Sequence, residues 1–256
     1  MKTEQPKASI DFNCDLGEGC GDDAAIIPLI TSASIACGGH AGDEATMRAT
    51  LRLCREHGVA AGAHPGYADR ENFGRNALPL SPSQVGELIT SQIAVLAGIA
   101  ASEGMRLAHV KPHGALYNVA ARDTDVATAI AQAVAGFDPR LVLFGLSGSR
   151  LTTAGEAAGL RVAHEVFAER PYEADGSLTP RTHADAVIHD LDGAIAQVHR
   201  FVRDGAVIAR TGEQLPLRAD TLCLHGDRAD AALFARSIRD ALEADGVRIL
   251  PIGASE

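Results

Sequence analysis

Five short apolar runs in this chain end in side chains that can hold charge or move protons. Asn13-Cys-Asp15-Leu-Gly-Glu18 follows the first run, His40 the second and His64 the third; Lys111 and His113 follow the fourth, and His225 and Asp227 the last. Lys111 stands apart. It is the only lysine beyond Lys2 and Lys7 in a chain whose 23 basic residues are otherwise arginine. An ammonium can lose its proton when desolvated and a guanidinium cannot, so lysine at this one place reads as a chemical requirement. Pro112, with no N–H, stops the strand beside it. His40 lies among glycines in Ile35-Ala-Cys-Gly-Gly-His40-Ala-Gly-Asp43, where backbone can approach a ligand closely. Gly62-Ala-His64-Pro-Gly66 has the same form. Asp15 and Glu18, three residues apart beside glycines, could polarise a substrate or hold a divalent cation. Asp43 reads more simply as a helix N-cap.

Other polar residues carry less. His57, His189 and His199 fall in helical patterns and read as surface groups; His109 and His164 fall mid-strand and read as packed or barrel-interior groups. Gly145-Leu-Ser147-Gly-Ser149 has the form of an anion-binding turn whose free N–H groups open a helix.

The elements that must position these residues alternate along the chain. The pattern predicts strands over 9–15, 34–40, 59–64, 107–112, 141–146, 162–166, 221–225 and 247–251. It predicts helices over 43–58, 82–103, 124–135, 150–158, 184–203 and 229–244. The helix from Pro82 has the plainest start, with Ser81 as cap and Gln84 completing a capping box. A small β-hairpin is expected near 206–217, on a single domain spanning 9–256 behind a disordered leader, 1–8. About seven β/α units demand a mostly parallel sheet. An open doubly wound sheet gathers its site at one switch point, whereas a closed barrel turns every strand end to one pocket. Contributions from five strand ends favour the barrel, with the open sheet as the alternative.

Composition narrows the function. A net charge of −10 argues against nucleic-acid and anionic-membrane partners. No apolar run approaches the roughly 18 residues of a membrane span, and the first residues lack a signal core. Five cysteines without a C-x-x-C pair argue against structural zinc or a disulfide framework and for a reducing cytoplasm. A homo-oligomer is left open. There is no P-loop, no G-x-G-x-x-G after a strand and no G-x-S-x-G elbow, which disfavours P-loop ATPases, dinucleotide oxidoreductases and α/β-hydrolases.

Taken in order, residues 13–18, 35–43, 62–67, 109–118 (His-Val-Lys-Pro-His-Gly-Ala-Leu-Tyr-Asn) and 218–227 (Arg-Ala-Asp-Thr-Leu-Cys-Leu-His-Gly-Asp) resemble the LamB/YcsF family of 5-oxoprolinase A subunits, over nearly the whole chain after residue 8. The resemblance implies a distorted seven-stranded β/α barrel related to polysaccharide deacetylases. It implies ATP-coupled opening of 5-oxoproline to glutamate, in a complex with subunits B and C. It carries functional weight onto Asp15, His40, His64, Lys111, His113 and His225. On that reading Asp15 activates water, Lys111 or a backbone N–H stabilises negative charge and His113 supplies or accepts a proton, while Asn13, His40, His64 and His225 contact substrate. A variant has Asp15, His40 and His64 holding a divalent metal. The rivals are a stand-alone metal-dependent deacetylase or amidohydrolase and a subunit that only binds 5-oxoproline. Two departures from the family pattern stand out: a shortened loop between Glu18 and Asp23, and Gly39 where the family often has an aromatic residue.

Overall fold

The computed structural model describes residues 9–226 and 230–252. The expected leader, Asp227 and the first residue of the expected last helix lie outside the described residues. Seven parallel strands close into a ring. In chain order they are β1 (Ser9–Leu16), β2 (Ser32–Ala36), β3 (Ala60–His64), β4 (His109–Val110), β5 (Val142–Leu146), β6 (Val162–Phe167) and, after a hairpin, β9 (Thr221–His225). β9 pairs with β1 from Asp11↔Thr221 to Asp15↔His225, which closes the barrel and disposes of the open-sheet alternative. The hairpin, β7 (Ala206–Ile208) with β8 (Gln214–Pro216), is antiparallel and separate from the ring. A last strand, β10 (Arg248–Ile249), pairs with the start of β1.

Helices connect the strands: α1 (Asp23–Ile26), α2 (Glu44–His57), α3 (Pro82–Ser102), α4 (Gly114–Ala120), α5 (Thr124–Phe137), α6 (Arg150–Ala157), α7 (Leu191–Asp204) and α8 (Ala231–Ala244). Their starts follow local chemistry. Asp43 caps α2 with Thr46 in a reciprocal capping box, and Ser81 does the same for α3 with Gln84. The structure departs most from the sequence reading at three boundaries and one helix. β2 stops at Ala36 because Gly38 turns the chain at φ +87°. β4 keeps only two residues, since Pro112 has no N–H to extend its ladder. α7 begins at Leu191, where Asp190 accepts from the Gly193 N–H, seven residues after the expected start. α4, which follows Pro112-His113 directly, was not expected at all. α3 is also more apolar than the sequence reading allowed. Its 21 residues are long and apolar enough to cross a membrane by composition, but Val85, Ile89, Ile93, Leu96 and Ile99 are buried inside this protein.

Strand periodicity sorts the core. On β1, Ile10, Phe12, Cys14 and Leu16 join the main apolar core, while Asp11, Asn13 and Asp15 take the alternate positions and meet polar groups of other strands. A small apolar cluster of Val142, Phe144 and Ala163 stands apart from that core. Above it, His109 stacks on Phe144 at 4.2 Å and its Nε2 lies 3.2 Å from Ser34 Oγ. This ring fits only because residue 62 is glycine: a Cβ there would sit 2.2 Å from the imidazole. Burial holds His109 neutral, pushed down to about 3.

Asp11 lies at the base of the same interior. It accepts hydrogen bonds from Thr31 Oγ1 (2.7 Å), Ser32 Oγ (2.6 Å) and Thr221 Oγ1 (2.5 Å). Burial outweighs these donors and pushes its carboxyl up to about 6. A raised folded value means that the protonated form favours the fold. That contribution is complete below the ordinary value of 3.8 and is lost as pH rises through about 6. Asp11→Asn should therefore gain on wild type by on the order of 3 kcal/mol between about pH 4 and pH 7, read as the difference in urea unfolding free energy. A difference constant across that range would show that Asp11 titrates normally.

Candidate active site

Lys111 occupies the top of the barrel interior, 2 % exposed. Its Nζ lies 2.7 Å from Asp15 Oδ1 and 2.7 Å from Glu165 Oε1, and donates to Asn13 Oδ1 and Cys223 Sγ, each at 3.1 Å. An ammonium has three N–H donors, and four acceptors already surround this one. Desolvation alone would lower its pKa, but the Asp15 charge and its neighbours outweigh burial and hold it well above the usual lysine value. Asn13 is fixed in turn, donating to Glu165 Oε1 (3.0 Å) and Thr221 Oγ1 (2.7 Å), while the Tyr117 hydroxyl donates to Glu165 Oε2 (2.7 Å). Burial would raise Asp15; the charges of His64 and Lys111 instead hold it well below the carboxylate range.

A second cluster sits against Asp15. Glu18, His40, His64 and His113 each present one donor atom, and the four atoms lie within 4.8 Å of one another. His64 Nε2 is 2.9 Å from His113 Nδ1 and 3.4 Å from Asp15 Oδ2. Glu18 Oε1 is 3.3 Å from His40 Nε2 and 3.5 Å from His113 Nδ1. The far nitrogens are anchored by main chain: His64 Nδ1 bonds the Lys111 carbonyl (2.7 Å) and His113 Nε2 the Phe73 carbonyl (2.9 Å). These bonds fix the tautomers and turn the other nitrogen of each ring toward the cluster. The His40 and His113 rings stack at 3.6 Å. Burial pushes His40 down to about 3 and, with the charge of His64, holds His113 well below the imidazole range, so both offer lone pairs. Desolvation would lower His64 too, but Asp15 raises it. Three imidazoles, two of them oriented from behind by carbonyls, and one carboxylate fit a divalent cation such as Zn²⁺.

The sequence nominated Asp15, His40 and His64 as the metal set. In the structure His40 and His64 converge with Glu18 and His113, while Asp15 stands one step back, bridging Lys111 and His64; its other close neighbours are Cys223 and His225. Asn13 touches Lys111 rather than facing open space. His225 sits at the rim, its Nδ1 2.6 Å from Glu169 Oε1 and its Nε2 3.1 Å from Arg181 Nη2. Asp15, Glu18, His64, Lys111, His113 and His225 all line one narrow throat of about 40 Å³.

The two departures from the family pattern have local accounts. In the short loop, Asp23 Oδ2 accepts from the Gly17 N–H (2.9 Å) and Thr50 Oγ1 (2.9 Å), and Glu18 reaches the histidines. A Cβ on Gly39 would come 2.6 Å from the Gln92 amide, which bridges the N–H and carbonyl of Gly66. Gln92 fills the wall there.

Sequence reasoning missed Glu165, Glu169, Arg170 and Arg181. Glu165 had a signal: a carboxylate inside the apolar run of β6, two residues from Phe167 on the same face. The Ser147–Ser149 turn does not offer the free N–H groups expected of it. Ser149 N–H donates to Leu146 O and Arg150 N–H to Ala121 O, while Gly148 N–H faces His164 Nδ1. His189 lies in a loop before α7, and His199 is half-buried against Asp245 at 2.5 Å.

The LamB/YcsF family model matches residues 10–256. The A subunit of the 5-oxoprolinase of Bordetella pertussis is 54 % identical over 246 residues, 94 % of this chain and 98 % of that one. The crystal structure of a lactam utilization protein from Thermus thermophilus superposes with a TM-score of 0.89 at 42 % identity, covering 95 % of this chain and 100 % of that one. A peptidoglycan deacetylase from Bacillus subtilis shares the fold, with a TM-score of 0.50 at 13 % identity over 96 % of this chain and 88 % of its own.

The donor set makes a direct claim on metal binding. Cobalt(II) added to the metal-free chain should give the visible absorption of a low-coordinate nitrogen/oxygen site at about one equivalent. His40→Ala or His113→Ala should weaken the titration at least about 100-fold, and His57→Ala should leave it unchanged. Binding that survives loss of His40 and His113 together would overturn the assignment.

Proposed function

Because the chain belongs to the LamB/YcsF family, we propose that it is the A subunit of a 5-oxoprolinase, which opens the lactam of 5-oxoproline to L-glutamate at the expense of ATP. The observation that carries this reading is the 54 % identity to a 5-oxoprolinase A subunit over 94 % of the chain. The buried Lys111–Asp15–His64 cluster is consistent with it. A five-membered lactam is a nearly unstrained amide and resists water. Transfer of a phosphoryl group from ATP to its oxygen makes the carbonyl carbon electrophilic. Water then adds to that carbon, and the C–N bond opens as the nitrogen takes up a proton, leaving an acyl phosphate; a second water displaces phosphate from it and completes the carboxylate of glutamate.

The residues divide this work. Lys111, with its donors taken, is a fixed positive charge that keeps Asp15 ionised and adds to the field felt by negative charge in the throat. Asp15 is the base for the attacking water. His113 has both ring nitrogens engaged inside the cluster and His225 has its own engaged by Glu169 and Arg181 at the rim; we assign protonation of the nitrogen to His225, which lies beside Asp15 and whose Nε2 must exchange Arg181 for the substrate. A divalent cation held by Glu18, His40, His64 and His113 would supply Lewis acidity toward water or a carbonyl oxygen. Subunits B and C complete the assembly.

The reading predicts glutamate formation from 5-oxoproline only when this chain, its partner subunits and ATP are combined. Asp15→Asn should lower kcat by about 10²–10⁴ with a smaller change in KM. Deacetylation of an N-acetyl sugar by this chain alone would instead favour the stand-alone hydrolase. Full turnover by Asp15→Asn would reduce the chain to a binding subunit.

A further inference from the structure

The substrate of the proposed reaction carries a charge that the site must meet. 5-Oxoproline has a carboxylate on the carbon next to its ring nitrogen, so its carboxyl carbon lies roughly 2.5 Å from the atom to be protonated. The throat already holds the carboxyl groups of Asp15 and Glu18. A further negative charge needs a cation beside it, and that cation must stand next to the proton donor.

Three arginines line the throat: Arg75, Arg170 and Arg181. Arg75 lies over the Phe73 ring at 5.0 Å, and that ring packs edge-on to His40 and His113, which puts this guanidinium at the metal-binding cluster. Arg170 is 4 % exposed, with Nε donating to the Ala186 carbonyl and Nη2 to the Thr179 carbonyl, so main chain fixes its plane. Arg181 differs on both counts. Its Nη2 donates to His225 Nε2 at 3.1 Å, the nitrogen assigned to protonate the substrate, and it extends from an exposed turn between β6 and α7. It borders both the throat and the wider cavity of about 630 Å³ beside it, which leaves its guanidinium room to shift.

We propose that Arg181 is the receptor for the α-carboxylate of the substrate, and that it reaches this group by leaving His225. The proposal rests on the lactam reading and names the residue that selects its substrate. In the structure the guanidinium occupies the Nε2 lone pair, while Nδ1 of the same ring donates to Glu169. A carboxylate offers two oxygens to paired, parallel N–H donors, a better match for a guanidinium than one imidazole nitrogen. Once Arg181 has moved, Nε2 is open to a proton from solvent. It passes that proton to the lactam nitrogen as the C–N bond breaks; the bonding pair stays on nitrogen, and His225 returns to the neutral ring with Nδ1–H still on Glu169. The carboxylate of the substrate thus arms the acid that acts on it. A lactam without the carboxylate leaves Arg181 on His225.

Calorimetric titration of the intact chain with 5-oxoproline and with 5-oxoprolinamide, its uncharged analogue, tests this. Wild type should prefer the acid at least about tenfold, Arg181→Gln should lose that preference, and Arg181→Lys should keep part of it. Circular dichroism would confirm that the variants fold. In nitrogen NMR of the wild-type chain, 5-oxoproline should shift the His225 Nε2 resonance and the amide should not. In the assembled enzyme Arg181→Gln should raise KM for 5-oxoproline at least about tenfold and lower kcat as well. Equal or absent binding of the two ligands, a preference that survives Arg181→Gln, or a His225 resonance that stays in place overturns the assignment. If the assembled wild-type subunits still made glutamate in that case, the lactam reading would stand with the carboxylate held elsewhere. No glutamate from the wild-type assembly, with the carboxylate preference intact, would sink the lactam reading alone.

Discussion

The ammonium of Lys111 inside the barrel is the constraint on which the site depends. Two carboxyl groups and an amide oxygen converge where a β/α barrel would ordinarily place branched aliphatic side chains. Taking such groups out of water is costly unless their partners are in place, and removing one partner from a buried set typically costs several kcal/mol. Lysine is therefore structural and electrostatic at once. It makes the carboxyl groups of β1 and β6 tolerable and, by doing so, keeps Asp15 ionised beside His64.

The histidine cluster depends on the same strand. The carbonyl of Lys111 fixes His64, and two residues further on His113 leaves β4 to meet it. Arg70 adds a clamp from outside by donating to the carbonyls of Gly38 and Gly42, which hold the loop that delivers His40. His40 itself packs where the backbone is closest, since a Cβ on Gly66 or Gly74 would approach it to 2.7 Å. Small residues at 66 and 74 thus matter more to its position than the glycines flanking it in sequence.

Much of this was legible in the sequence, for physical reasons. Apolar runs ending in polar residues mark the C-terminal ends of barrel strands, and that pattern picked out Asp15, His40, His64, Lys111, His113 and His225. The closed ring followed from how many strands contribute. Pairing among the polar residues was not legible, because it depends on inward alternation around a closed ring. Glu165 lies inside an apolar run, where a carboxylate gives no strand-end signal, yet it is a direct partner of Lys111. Glu18 was visible, but nothing local says that its loop folds back onto histidines from three other segments. α4 was hidden because Pro112-His113-Gly114 reads as the end of a strand and not as the start of a helix.

The brevity of β4 has a mechanical side. Its ladder to β3 and to β5 rests on two residues each, Gly62↔His109 with Ala63↔Val110 and His109↔Val142 with Val110↔Leu143. The ring is thinnest at this seam, and the seam carries Lys111 and His113. Local opening draws first on the stretches with the fewest cross-strand bonds. On heating, the alignment of the charged cluster would then loosen before the barrel as a whole gives way, so the working range of the site is narrower than the survival range of the fold.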